Sequence, residues 1–275
     1  MASSDLTTLV DVKTWLNISD TKSDALLARL ITSISGQILS VLNRSSINYS
    51  SKVETRNGNG NTNLLLRDWP VIAVSQLTID NDIIPQAVPV NGSLIPAGWV
   101  LSIWSGAPPG IPQVLSLRGY YYRQGVRNVS VSYTSGYYIN GETTTIITGG
   151  IYTALQQYGY WSIDSGVVFS DTNIALIAIA SGTPTIGHYT VSGGVYQFAL
   201  ADVGRPLKIS YNYIPFGIEQ AAMEAVSERF KARDRIGARS KSLGGQETVT
   251  YDSSGLSATV MSMLNPWISV IPFQP

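Results

Sequence analysis

The chain has 275 residues, of which eighteen are Lys or Arg and eighteen Asp or Glu, so its formal net charge is zero and only 13% of its side chains are charged. That balance excludes recruitment of nucleic acid, membranes or acidic substrates by a global field and leaves specific contacts to do the work. No cysteine is present, which excludes disulfides, thiolate nucleophiles and cysteine metal sites and suits a reducing compartment. So lightly charged a chain, 44% hydrophobic with 15 tyrosines, is expected to have much of its surface covered by other protein.

The opening MASSDLTTLVDVKTW lacks a basic segment followed by an apolar one, and the longest apolar run, Ile174 to Ala180, is far too short to span a bilayer. A soluble protein without membrane contact is expected. Residues 1 to 5 carry no structural pattern. Thr8 followed three residues later by Asp11 predicts an N-cap and a short helix over LVDVKTWL. After the polar NISDTKSD, Leu27, Leu30, Ile31, Ile34, Ile38, Val41 and Leu42 recur at helical spacing, predicting a second helix that runs to about residue 43.

From about Lys52 the period changes to two. NTNLLLRDWPVIAVSQLTIDNDIIP alternates apolar and polar positions, and Asp80, Asn81 and Asp82 predict a hairpin turn. Glycine and proline then punctuate the chain from Gly92 to Pro112, so the strands there must be short. RNVSVSYTSGY closes this β region. TNIALIAIASGTPTIGHYTVSGGVYQFALADVGRPLKISYNY reads as further strands with turns at Gly182, Gly193-Gly194 and Gly204. KISYNY echoes VSVSYTSGY, so the chain is expected to return beside the point where it left.

The stretch from Pro215 to Tyr251 combines the strongest helix pattern with a charge cluster. Ile218, Ala221, Ala222, Ala225, Val226 and Phe230 recur at three- and four-residue spacing and predict a buried face. Glu219, Glu224, Glu228, Arg229, Lys231 and Arg233 are assigned mostly to the opposite, solvent side. The acid near the start and the bases near the end match the helix dipole, and Gly237 offers a stop. Ordering such a helix costs more than its own apolar face returns, so it needs partners from elsewhere in the chain. The tail from Asp252 to Pro275 is too apolar to remain free and is expected to dock on something folded. Packing on its own β region is the alternative to a neighbouring subunit or another protein.

The helix IEQAAMEAVSERFKARDRIG, the polar run ARSKSLGG and the strand-like QETVTY, in that order, closely resemble the C-terminal signature of phage head-tail connector proteins of the adaptor family. LTTLVDVKTWLNI followed by SDALLARLITSISGQILSVLNR resembles the start of the same family, so the resemblance brackets the chain. It departs in one place. In the family a VSYTSGY-like strand comes just before the C-terminal helix, whereas here Asn140 to Tyr213 intervene. GVYQFALADVGRPLKISYNY within that stretch is similar to a small β module recurring in phage structural proteins. The alternative is that these residues merely add strands to the first sheet.

The resemblance implies an α+β fold in which a small helical bundle, built from the N- and C-terminal helices, carries a β-rich region and an inserted β-sandwich-like subdomain. Its expected parts are residues 1–139 with 214–251 as the adaptor core, 140–213 as the insert and 252–275 as a C-terminal arm. It implies a structural adaptor of the virion neck, not an enzyme, assembled in the host cytoplasm. Such an adaptor forms a ring of copies, usually twelvefold, beneath the portal protein, extends the DNA channel and docks the next neck or tail protein. Arg229, Lys231, Arg233, Arg235, Arg239 and Lys241 would then offer transient, sequence-independent contact to DNA or charge between subunits. A solvated helix end paired with Glu228 and Asp234 explains them equally well. Leu256, Val260, Leu264, Trp267, Ile271 and Phe273 would form an arm docking on the portal or a neighbour.

Other chemistry finds little support. His188 is the only histidine and lies in IGHYTVSGG with no nucleophile elbow, so it reads as an exposed strand residue. Asp80 and Asp82 lack calcium-loop spacing, and turn chemistry accounts for them. NGNGN at residues 57–61 and SLGG at 242–245 lack the strand, helix and lysine of a phosphate loop. No metal or cofactor is expected. A carbohydrate-binding or adhesin-type phage protein, using the tyrosine- and tryptophan-rich β region, is the reading from another class.

Overall fold

The computed structural model describes residues 4–88, 96–102, 114–233, 240–243, 247–250 and 255–269. Two helices open it, α1 (Leu9–Leu16) and α2 (Asp24–Val41). Thirteen strands follow in the first β stretch and its continuation: β1 (Ser50–Gly58), β2 (Asn63–Leu65), β3 (Val71–Ile79), β4 (Asp82–Ile84), β5 (Gly98–Ser102), β6 (Val114–Arg118), β7 (Gly125–Ser135), β8 (Tyr138–Thr145), β9 (Ile151–Thr153), β10 (Gly159–Phe169), β11 (Ile177–Ala178), β12 (His188–Ser192) and β13 (Val195–Phe198). Strand β14 (Pro206–Pro215) runs directly into helix α3 (Phe216–Ala232), after which come the hairpin β15 (Ser240–Leu243) and β16 (Glu247–Thr250) and helix α4 (Ala258–Leu264). The fold is α+β, with helices segregated in sequence from mostly antiparallel sheets.

Contacts divide the chain into two units. The first comprises Met1–Ser46 and Phe216–Ile268, and the second Ile47–Pro215 and Ser269–Pro275. In the first unit, α3 contacts α1, α2 and α4, so helices from the two ends of the chain meet. Their termini form as the residues dictate. The Thr8 hydroxyl accepts the Asp11 amide proton, as an N-cap does, and in turn donates to the Asp11 carboxylate. Asn17 ends α1 in the left-handed conformation. Helix α2 buries Leu27, Ile31, Ile34, Ser35, Ile38 and Leu39, while Leu30 and Val41 of the predicted stripe lie at its half-buried margin.

In the second unit, one sheet has the order β1-β7-β3-β4 and another β2-β6-β5. They share a core that includes Leu64, Leu77, Trp99, Leu115, Val131 and Tyr133. The hairpin between β3 and β4 pairs Ile79 with Asp82, leaving Asp80 (φ 52°) and Asn81 (φ 69°) as the two central residues. Two positive φ values define a type I′ turn, whose twist suits a hairpin and which Asp and Asn tolerate better than most residues. The Asn128 side chain ties the turn to β7 by donating to Asp80 Oδ1 at 3.0 Å. The Trp69–Pro70 peptide, just before β3, is cis.

Residues 138 to 215 supply two further sheets, β10-β14-β8 and β11-β12-β13-β9. The chain leaves at Tyr137 and returns beside it, with Tyr213 N donating to Tyr137 O at 3.1 Å and Asn212 paired with Tyr138. Gly193 and Gly194, at φ 55° and 81°, make the tight turn between β12 and β13.

Two carboxylates pin these sheets together. Glu142 on β8 accepts protons from the Tyr152, Tyr211 and Leu155 donors at 2.8, 2.6 and 3.0 Å. Asp164 on β10 accepts from Tyr189 at 2.5 Å and Tyr196 at 2.9 Å. Burial, followed by the adjoining carboxylate, pushes the Tyr189 and Tyr211 hydroxyls well above the usual tyrosine range, so both remain proton donors. Replacing Asp164 with Ala leaves the Tyr189 and Tyr196 hydroxyls without this acceptor, and a loss of about 2 to 4 kcal/mol is expected in chemical denaturation, against a smaller loss for Tyr189→Phe.

Candidate assembly interface

Helix α3 is the element on which the candidate residues converge. It buries Ile218, Ala221, Ala222, Ala225, Val226 and Phe230, the six positions whose spacing predicts an apolar face, together with Met223 and Ser227. Its three alanines are all at most 1% exposed. Small side chains at consecutive turns suit close helix approach, and α3 contacts three other helices. Gly217 has a similar role at the first turn, where a Cβ would lie 3.1 Å from Nε1 of Trp267.

Glu219 corrects the sequence reading. Instead of lying on the solvent side it is 2% exposed, and its Oε1 accepts a proton from the buried Thr7 hydroxyl at 2.9 Å. Its spacing explains this, because Glu219 precedes Val226 by seven residues and therefore shares the face that Val226 buries. Nearby, the Leu6 amide donates to the buried Ser35 hydroxyl at 2.9 Å. The segment just before α1 is thus tied to both α2 and α3. Burial raises the Glu219 carboxyl from 4.5 to about 7; the Thr7 hydrogen bond opposes the shift, and the negative charge of Asp11 adds to it.

The basic cluster is only partly within the described residues. Arg229, Lys231 and Arg233 sit exposed in and just beyond the last turn of α3. Arg229 donates to the Gly255 carbonyl at 3.4 Å, and the Arg233 guanidinium lies 4.0 Å over the Phe230 ring. Lys241 falls in β15. Arg235, Arg239 and the expected helix stop at Gly237 lie outside the described residues.

The tail forms α4, capped by the Ser257 hydroxyl, which accepts from Val260 N at 3.3 Å. Val260 and Leu264, four residues apart on one helical face, are fully buried within the helical unit, where α4 contacts α3. Leu256 and Trp267 are half-buried. Beyond the helical unit, the Ser269 hydroxyl donates to the Arg67 carbonyl at 2.8 Å. Ile271 and Phe273 lie outside the described residues.

The other candidates have local roles. His188 opens β12 half-buried, with Nδ1 at 3.1 Å from the Thr185 hydroxyl and 3.0 Å from the Ile186 carbonyl oxygen. Asp80 and Asp82 face Arg123 at 3.6 and 4.0 Å. Among the described residues, no group of three or more His, Asp or Glu side chains could hold a metal ion. No helix among them is long and apolar enough to cross a membrane.

The raised Glu219 carboxyl makes stability depend on pH. The folded state holds this proton more tightly than the unfolded chain, so its contribution is full below pH 4.5 and is lost as pH rises through about 7. Wild-type protein is therefore expected to lose up to roughly 3 kcal/mol of stability across that window. Glu219→Gln, which cannot ionise, should remove this part of the slope in denaturation curves recorded from pH 4.5 to 8.

Residues 5–105 match the model of the head completion protein family. No curated protein matches. A chain from the neck of an empty GTA particle, computed with C6 symmetry, aligns over 98% of this chain and 94% of its own, at 12% identity and a TM-score of 0.40, a likeness too distant to carry an argument. The family match supports the resemblance of this chain to phage head-tail connector proteins, which its two ends carry in sequence.

Proposed function

We propose that the protein is a structural head-to-tail adaptor of a tailed phage. It resides in the virion neck, forms a ring of copies beneath the portal, extends the DNA channel and docks the next neck or tail protein. The observation that carries this reading is the meeting of the chain's two ends. The segments that resemble the connector family at the front and rear, α1, α2 and α3, pack as one helical unit, and residues 5–105 match head completion proteins. Twelve copies is the ring order that the resemblance implies.

In this reading the helical unit is a small bundle serving as the adaptor scaffold. Residues 140–213 form the inserted subdomain, as supported by two sheets drawn from within 138–215. The role is one of assembly and not catalysis. The resemblance implies a protein that joins the portal after packaging, as a weakly self-associating monomer that becomes ordered there. The C-terminal arm divides at Ser269. Its α4 portion completes the helical unit, and residues 270–275 are the part proposed to reach the portal or a neighbour.

Electron microscopy of the protein mixed with portal rings tests the proposal. A ring of copies stacked coaxially on the portal is the expected result, and binding of glycans by a persistently monomeric protein would favour the carbohydrate-binding alternative. Deleting residues 270–275 leaves α4 intact and should weaken portal binding; unchanged binding would remove the arm from the proposal. If the end of α3 faces passing DNA, Lys231→Ala should lower the slope of log affinity against log salt by about 1 for any DNA sequence, without changing ring formation.

A further inference from the structure

Residues 4–7, ahead of the cap of α1, form neither helix nor strand, yet Leu6 and Thr7 are only 1% and 3% exposed. The Leu6 amide is fastened to the Ser35 hydroxyl of α2, and the Thr7 hydroxyl to Oε1 of Glu219 on α3, each at 2.9 Å. This short strap therefore closes over the buried carboxyl without belonging to any regular element. Opening it exposes one leucine side chain, whereas moving α3 unpacks α1, α2 and α4 together. The strap is the part of the helical unit that opens at the lower cost.

Beneath the strap, Glu219 lacks the surroundings that an ionised carboxylate needs. Thr7 donates to Oε1, while Oε2 is buried with no hydrogen-bond partner among the described residues. A buried carboxylate is ordinarily met by several donors or by a cation. Helix α1 brings Asp11 toward it, and the Lys13 ammonium of the same helix is paired with Asp24 of α2 at 2.7 Å. Arg29 of α2 is exposed, Arg44 is buried past the end of α2, Asp5 in the strap is half-buried, and α4 carries no titratable side chain. On α3 itself, Glu224 accepts from Gln220 at 2.9 Å. Asp11 is the charge that bears on Glu219, and like burial it opposes ionisation.

We propose that residues 4–7 are a proton-gated strap, closed over Glu219 while that carboxyl is protonated and lifting to bare the site that Leu6 fills when the carboxyl ionises and requires water. Closed, the carboxyl titrates at about 7; once the strap lifts, water restores the ordinary value of 4.5. Between those values the open form releases a proton that the closed form keeps, so raising the pH favours opening. Above about 7 both forms are ionised, and the bias levels off. Thr7 sets the upper limit of this window, because its hydrogen bond is the one interaction that favours the carboxylate in the closed form.

Hydrogen exchange of the full chain, followed by NMR from pH 5 to 8 and corrected for the intrinsic exchange rate, tests this. Protection of the Leu6 amide should fall roughly tenfold per pH unit up to about 7 and then level off. Amides of α2 and α3, such as those of Leu27 and Val226, should not follow it. In Glu219→Gln, which cannot ionise, Leu6 protection should be independent of pH. In Thr7→Val, which removes the donor, the fall should continue beyond pH 7. Leu6 protection that is flat with pH in the wild type, or that still falls in Glu219→Gln, would overturn the inference. So would an equal loss of protection at Leu27 and Val226, which would make the titration a property of the whole helical unit, or a Thr7→Val profile that levels off where the wild type does.

Discussion

The packing of α3 against helices from both ends of the chain is the constraint on which the helical unit depends. A helix with three alanines and a buried carboxylate on its inner face contributes too little apolar area to stand alone, so α1, α2 and α4 must close around it. That requirement explains why the first 46 residues and residues 216–268 form one unit although 169 residues separate them. It also explains the tail, since Val260 and Leu264 fill a place against α3 that would otherwise expose apolar surface.

Three half-buried carboxylates, Glu54, Glu142 and Asp164, are each met by donors. Glu142 and Asp164 each accept two tyrosine hydroxyls, and Glu54 accepts from Tyr133 and pairs with the buried Arg56. Glu219, buried more deeply, is served differently. It has one donor, Thr7, and a negative neighbour, Asp11, and its carboxyl accordingly holds a proton toward neutral pH. The consequence for the surface is equally physical. Because residues 140–213 contain few charges and most are consumed by internal contacts, the outer face of the β11-β12-β13-β9 sheet carries exposed Ile151 and Ile177 with little charge around them.

Much of the local structure was legible in the residues. Thr8 and Asp11 set the start of α1, the Asp80-Asn81 pair set a hairpin, and Gly193-Gly194 set another, because each of these depends on side chains and φ values within a few residues. The buried status of Glu219 is also readable, since a seven-residue interval places it with Val226, although its charge alone points to the solvent side. The basic cluster was only partly legible. Sequence showed positive charge at the end of α3 but not that Arg229 reaches the Gly255 carbonyl or that Arg233 covers Phe230.

The sequence by itself determined the element types, the apolar face of α3, the family resemblance at both ends and the absence of cysteine chemistry, all of which are properties of residue identity and short-range spacing. Tertiary structure alone decided which strands share a sheet, that the return at Tyr213 lies beside Tyr137, and that tyrosines from β9, β12, β13 and β14 converge on two carboxylates. Those pairings join residues far apart in the chain, 69 positions in the Glu142–Tyr211 contact. Alternation along a strand specifies which side chains share a face but not which strand will lie alongside, because register and partner are fixed only when distant apolar faces are buried together.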